Sequence, residues 1–365
     1  MDYRSIDTPA VLVYMDIIER NIAEMLDGAR AAGLSHRPHI KTHKCVELAK
    51  IQIAAGASGI TCAKLEEAEI MAAAGIENIL VAYPLIGEIK WDRYAALHAV
   101  SPGLLTIVNS ITGAKGLSDG ALKSGEVFDV LIEVDGGTSR GGIAPGLPVL
   151  AFADSLKDLK GIRVCGLMYY PGANYKEHDD AGIIAAAERE RNDVIGTARL
   201  LQYHGYDMSV LSGGNSVSSK VPGYLVGLTE IRAGNYIFND CQQLYFDRVT
   251  EDQCALRVLA TVVCKTGPNT AILDAGTKIL SSDVFHGTDF GYGRICGYKE
   301  ITITNLNEEH AFISSPEPLP FEVGDKVLII PNHACVIPNL AGEMYKIRNG
   351  EYEGKLTVDA RGACR

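Results

Sequence analysis

Arg37-Pro38-His39-Ile40-Lys41-Thr42-His43-Lys44 alternates polar and apolar residues and ends in a crowd of cations, the pattern of a short strand running out into a loop. Side chains alternate along a strand, so Arg37, His39, Lys41 and His43 are expected on one side. Lys41 is then a primary amine beside two imidazoles and a guanidinium. Such neighbours penalise an ammonium ion, and a lysine that gives up its proton readily is the nucleophile that forms Schiff bases with carbonyl cofactors. Taken alone, the eight residues read more readily as a solvated basic strand end.

Counting outward from this strand, short apolar runs recur at 59–62, 79–82, 105–108, 129–134, 164–169, 208–211 and 230–232. They alternate mostly with helical patterns at 46–56, 65–74, 94–99, 148–156 and 180–203, and each is apolar enough to be buried on both faces. Eight such βα units predict an α/β fold, a closed (β/α)8 TIM-type barrel, and no GxGxxG fingerprint follows the first strand to suggest an open sheet. A strand at 10–14, after the turn Asp7-Thr8-Pro9, is surplus to the count and is expected to join a second domain or cover the barrel's bottom. From residue 239 strand-like runs at 256–263, 271–273, 301–303, 311–313, 326–330 and 356–358 are separated by Gly, Pro, Asn and Asp. No convincing amphipathic helix lies among them, so this half reads as a compact β domain. The expected division is a barrel over 10–238 and a β domain over 239–365, with residues 1–9 packing on the latter.

At 365 residues, 47% hydrophobic and 22% charged, the chain has ordinary globular composition and exceeds one typical domain. Forty-five acidic residues against 34 basic ones give a formal charge of -11, which argues against nucleic acid or an anionic membrane as the main partner. Nine scattered cysteines without a CxxC pair argue against a disulfide framework and for a reducing compartment. The start lacks the basic-then-apolar form of a signal peptide, and no apolar run approaches transmembrane length, so a cytoplasmic location is expected.

In a barrel the chemistry gathers on the loops after the strands. Lys41 ends strand one, and Arg140 follows strand five within Glu133-Val134-Asp135-Gly136-Gly137-Thr138-Ser139-Arg140. Tyr169, Tyr170 and Tyr175 follow strand six. Ser212-Gly213-Gly214-Asn215-Ser216-Val217-Ser218-Ser219 follows strand seven, and Gly234-Asn235-Tyr236 follows strand eight. Glycines there permit a nest of backbone N–H groups, and serine hydroxyls add donors for a phosphate dianion. Coinciding with a lysine on strand one, this loop points to a phosphorylated aldehyde, pyridoxal phosphate. A second constellation is Pro331-Asn332-His333-Ala334-Cys335-Val336-Ile337-Pro338. In an extended H-x-C both side chains face the same way, close enough to share one metal ion. Imidazole plus thiolate suits zinc, with positions left open for water or substrate. Asn332 offers a supporting amide.

The segments DTPAVLV, RPHIKTHK, GITCAKLEEAEIMAAAGI, ILVAYPLIG, IEVDGGTSRGGI, SGGNSVSS, EIRAGNYIFND, ILDAGTKILSSD and PNHACVIPNL cover nearly the whole chain. In them the chain resembles the fold type III pyridoxal phosphate enzymes, specifically the D-serine dehydratase and D-threonine aldolase branch related to alanine racemase. The resemblance implies a Schiff-base lysine at Lys41 and a divalent metal, zinc or alternatively manganese or magnesium, at His333 and Cys335. It implies phosphate contacts from the loop of Gly213, Gly214 and Ser216 and from Gly234 and Asn235. Further cofactor contacts are implied for Arg140, Tyr170, Tyr175 and Tyr236, although Tyr236 also reads as barrel packing and Arg140 as a partner of Asp135. A homodimer with its active site near the subunit interface is likewise carried over. Within the branch, H-x-C at the metal motif resembles the dehydratases and H-x-D the aldolases. Tyr170 stands where the dehydratases tend to carry histidine.

The expected function is metal-assisted β-elimination from a D-β-hydroxy amino acid. The substrate amine displaces Lys41, the freed lysine becomes general base at the α-carbon, and the metal assists departure of the β-hydroxyl, giving a 2-oxo acid and ammonia. D-Serine, D-threonine and D-3-hydroxyaspartate fit the same chemistry. Retro-aldol cleavage to glycine and an aldehyde is the alternative on the same residues. Racemisation needs a base on each face of the α-carbon and leaves the metal idle. A non-catalytic pyridoxal phosphate carrier is a third reading, for which the β half is an odd addition. His286 and His310 are left outside the site.

Overall fold

The structure, a computed structural model, describes residues 2–177, 179–284 and 291–365. The chain begins with β1 (Ala10–Tyr14) and α1 (Met15–Ala31). Strands and helices then alternate: β2 (Ser35–His36), α2 (Val46–Ala55), β3 (Ile60–Cys62), α3 (Leu65–Ala73), β4 (Ile79–Val81) and α4 (Glu88–His98). The alternation continues through β5 (Leu105–Val108), α5 (Ile111–Ser124), β6 (Phe128–Val134), α6 (Leu147–Ser155), β7 (Ile162–Tyr169), α7 (Asp180–Tyr203), β8 (Val210–Gly213) and β9 (Glu230–Ile231). Two compact units divide these residues. One comprises Glu24–Lys41, Leu48–Gly234 and Ala363–Arg365, and the other comprises the chain up to Ala23, Thr42–Glu47 and Asn235–Gly362.

In the first unit β2 to β9 form an eight-stranded parallel sheet in the order β2-β9-β8-β7-β6-β5-β4-β3. Its two ends meet through a parallel bridge between His39 and Thr61, where the Thr61 N–H donates to the Pro38 carbonyl at 2.8 Å. The sheet is therefore the α/β barrel expected from the strand count. Its central strands are mostly apolar because parallel strands carry helices over one face and core on the other. Leu80, Leu105, Ile107, Leu131, Cys165 and Met168 pack as one buried cluster. Helix ends follow the local signals: the Ser110 hydroxyl accepts the Gly113 N–H at the start of α5, and Gly125 closes that helix at φ 75°.

The first barrel strand departs from expectation. It occupies only Ser35–His36, and Ile40–Thr42 winds into a 3-10 turn. Pro38 has no N–H to give a neighbouring strand, and Lys44 takes φ 56°, so the extended alternation over 37–44 cannot be sustained. Arg37 is turned aside: its Nε donates to Glu230 at 2.9 Å, with both side chains buried.

The second unit holds a nine-stranded sheet. After α8 (Cys241–Tyr245) come β10 (Leu256–Gly267), β11 (Thr270–Leu273), β12 (Arg294–Ile295), β13 (Thr302–Leu306), β14 (Ala311–Ser314), β15 (Lys326–Ile330), β16 (Glu343–Arg348) and β17 (Glu351–Thr357). The surplus strand β1 runs antiparallel to β10 and parallel to β16. Ile6, Ala10, Leu12, Leu259 and Ile347 pack together there, and the Thr8 hydroxyl reaches Asp274 at 2.6 Å. No disulfide joins the described cysteines. Among the described residues no helix is long and apolar enough to cross a membrane.

Candidate active site

Lys41 opens into a cavity of about 630 Å³ in the barrel unit, walled by His39, Lys64, Tyr83, Lys90, Asn109, Glu133 and Arg140 among others. Four of its side chains, Lys41, Lys64, Lys90 and Arg140, are cationic and one, Glu133, is acidic. Burial raises the Glu133 carboxyl above the ordinary range, against the pull of a 2.8 Å hydrogen bond from Asn109 and of the charges on Arg140 and Arg232. Burial also holds the His39 imidazole well below its usual range, aided by the charges of Lys41, Arg232 and Arg140. His39 is thus a neutral ring in a basic setting. The Arg140 guanidinium lies 3.9 Å from the centre of the Tyr170 ring, so these two residues from different loops meet. Lys64 stands 3.5 Å over the ring of Tyr83.

The Ser212–Ser219 loop is held from behind. Gly214, at φ +71°, donates its N–H to Glu190 of α7 at 2.6 Å. A β-carbon at Gly213 would lie 2.5 Å from the same carboxylate, so the glycine is required by that approach. The Asn215 carboxamide accepts the N–H groups of Val217 and Ser218, both at 2.9 Å. Most of the expected nest is therefore satisfied within the loop. Ser216 is the exception: it is 3% exposed and makes no hydrogen bond among the described residues, leaving its N–H and hydroxyl for a ligand. Arg232, after β9, donates to the Tyr169 carbonyl at 2.6 Å, and its N–H meets Gly213 at 2.9 Å. Its buried Nε has no partner among the described residues. A buried donor of this kind together with Ser216 fits a bound anionic ring system such as pyridoxal phosphate. Gly234 is buried beside this loop's strand, and Tyr175 sits half-buried in the 3-10 turn Gly172–Lys176.

Asn235 and Tyr236 belong to the second unit, where Tyr236 is 1% exposed. The Asn235 amide donates to Asp240 at 2.6 Å. In the same unit His333 and Cys335 lie in a turn entering a short helix at Ile337–Leu340, and not in the extended stretch expected. They nonetheless interact: the Cys335 sulfur is the main influence holding the His333 imidazole above its usual range, opposed by burial and helped by Asp240. An imidazole that keeps its proton beside a sulfur is the arrangement a divalent cation would replace. Thr42 Oγ1 lies 3.1 Å from Cys335 Sγ. No cluster of three or more His, Cys, Asp or Glu suited to a metal occurs among the described residues. Asn332 does not support the pair; its amide donates to the carbonyls of Asp283 and Gly291. His286 lies outside the described residues, and His310 is exposed.

The structure thus brings Lys41 and Arg140 to one cavity, with Tyr170 stacked against Arg140, and brings His333 and Cys335 to one another. Sequence reasoning passed over Glu190, Arg232, Lys64 and Asp240. A glutamate at helical spacing from the apolar Ile183, Ala187 and Val194, and an arginine in a buried strand end, were the available signals for the first two.

Comparison with known proteins agrees with this layout. A family model described as the alanine racemase N-terminal domain matches residues 13–241, and one named for serine dehydratases matches 255–347. The chain is 34% identical to D-threo-3-hydroxyaspartate dehydratase of a Delftia species, over 91% of each chain. It is 30% identical to D-threonine aldolase of an Arthrobacter species, over 99% of this chain and 94% of that one. Among solved structures, D-threonine aldolase from Filomicrobium marinum superposes with a TM-score of 0.91 at 28% identity, covering 100% of this chain and 98% of that one. The Delftia dehydratase superposes with a TM-score of 0.92 at 31% identity, covering 98% of both. The chain belongs to the alanine racemase-like, fold type III pyridoxal phosphate family, in the branch of the D-serine dehydratases and D-threonine aldolases.

Proposed function

We propose that this chain is a pyridoxal phosphate- and divalent metal-dependent lyase that eliminates the β-hydroxyl from D-3-hydroxy amino acids, giving a 2-oxo acid and ammonia. The observation that carries the reading is Lys41 in a cavity walled by three further cations and a single buried carboxyl. Bound pyridoxal phosphate would supply the electron sink for the charge left at the α-carbon. A divalent metal on His333 and Cys335, zinc by the softness of that pair, would supply Lewis acidity toward the hydroxyl.

The chain's own residues supply the rest. Lys41 Nζ is the amine that holds the cofactor and, once released, takes the α-proton. Ser216 offers its N–H and hydroxyl to the phosphate, and Arg140, braced on Tyr170, orients the ring from the side. Neutral His39 leaves positive charge in the cavity to the lysines and Arg140. Lys64 and Lys90 exceed what a single α-carboxylate needs, which favours a dicarboxylic substrate such as D-3-hydroxyaspartate over D-serine. Assembly as a homodimer is part of this reading, on the family resemblance.

The test is to incubate the protein, loaded with pyridoxal phosphate and zinc or manganese, with a panel of D-β-hydroxy amino acids and to assay both product pairs. Formation of 2-oxo acid with ammonia supports elimination. Glycine with an aldehyde replaces it by retro-aldol cleavage, and absence of both with cofactor and metal bound reduces the chain to a carrier.

A further inference from the structure

The carboxylate of Asp240 is completely buried and gathers donors on both oxygens. Oδ1 accepts the Gln243 N–H at 3.2 Å. Oδ2 accepts the Asn235 amide at 2.6 Å and the Ala334 N–H at 2.9 Å, and lies 3.3 Å from Nδ1 of His333. We infer that Asp240 is the positioning residue of the metal pair: it sets the tautomer and the aim of His333, and is itself held by Asn235. The inference rests on the proposed reading of His333 and Cys335 as metal ligands.

The plain role for Asp240 is to cap the short helix α8, and Oδ1 alone meets that duty. Asparagine or serine would cap as well. What capping does not explain is Oδ2, which takes hold of both the imidazole of residue 333 and the backbone of residue 334. The carboxylate therefore grips the segment between the two ligands and the first ligand's ring at the same time. A proton on Nδ1 facing Asp240 leaves the Nε2 lone pair as the one a metal can take, and a carboxylate behind the ring strengthens it as a ligand. Asn235 completes the arrangement. Its amide nitrogen is committed to Asp240 while its buried oxygen has no partner among the described residues, so the side chain serves the carboxylate first.

Asp240→Asn and Asp240→Ser both keep a competent cap and remove the charge behind His333. Each variant, loaded with pyridoxal phosphate, is titrated with cobalt alone and followed by the thiolate-to-cobalt charge-transfer absorption, which reads Cys335 ligation independently of turnover. Wild type is expected to give the band and Cys335→Ala to lose it, while the two Asp240 variants need roughly 10- to 100-fold more cobalt with cofactor absorbance retained. Unaltered cobalt affinity in a folded Asp240 variant overturns the inference and leaves the metal reading standing. A wild type with no charge-transfer band removes the metal reading itself, and the inference with it. A crystal structure of cobalt-loaded wild type needs no variant to fold: cobalt on Nε2 with Nδ1 against Asp240 is expected, and cobalt on Nδ1 overturns the inference.

Discussion

Glu190 Oε1 accepts the Gly214 N–H at 2.6 Å, so a carboxylate from α7, and not a ligand, occupies the backbone donor at the tightest point of the glycine loop. Burial pushes the Glu190 carboxyl up to about 7, against the hydrogen bonds from Gly214 and Ser218 that favour its ionised form. Because the folded value lies above the unfolded one, this group's contribution to stability is full below about 4.5 and is lost as pH rises through about 7. The loss is on the order of 3 kcal/mol. Glu190→Gln keeps an acceptor for Gly214 and removes the titration. Thermal melts from pH 5 to 8 should fall less steeply for the variant than for wild type; parallel curves would exclude Glu190 as a source of the pH dependence.

Lys41→Ala removes the cavity amine proposed to hold the aldehyde, in the turn after β2. The variant should lose the visible absorbance of bound pyridoxal phosphate and all measurable turnover, with its thermal midpoint little changed, since Lys41 is only half-buried. Retained absorbance after dialysis would move the cofactor to another lysine.

Cys335→Ala should keep that absorbance and lose both bound metal and turnover. Metal content by elemental analysis, measured beside the cofactor spectrum, checks the two halves separately. Full activity in the variant would take the metal out of the reaction.

Lys64→Gln tests the charge of the cavity. If Lys64 receives a second carboxylate, kcat/KM for D-3-hydroxyaspartate should fall about tenfold, the worth of one charged hydrogen bond, and the value for D-serine should fall much less. Equal losses on both substrates would instead assign Lys64 to the α-carboxylate or to its contact with Tyr83.

Gly116→Ala probes the packing of α5 on α4. The added carbon would lie 2.1 Å from the Trp91 ring, whose Nε1 is tethered to the Leu85 carbonyl at 2.9 Å and cannot easily move aside. A destabilisation of about 1–3 kcal/mol by denaturant unfolding is expected. A neutral result would mean that the indole repacks.

The barrel was legible in the sequence because most of its strands are short apolar runs between helical periods, and burial on both faces leaves that mark locally. Lys41, Arg140, Ser216, His333 and Cys335 stood out for the same kind of reason, as reactive residue types at strand ends or in a proline-bounded turn. What tertiary structure alone decided were the partners: Asp240 behind His333 across 93 residues, Glu190 behind Gly214, and Arg232 against Tyr169. It also turned the stretch after Pro38 from strand into a 3-10 turn. Local sequence records propensity and periodicity, whereas a hydrogen bond between residues distant in the chain depends on where the whole sheet places two backbones, and no nearby pattern encodes that.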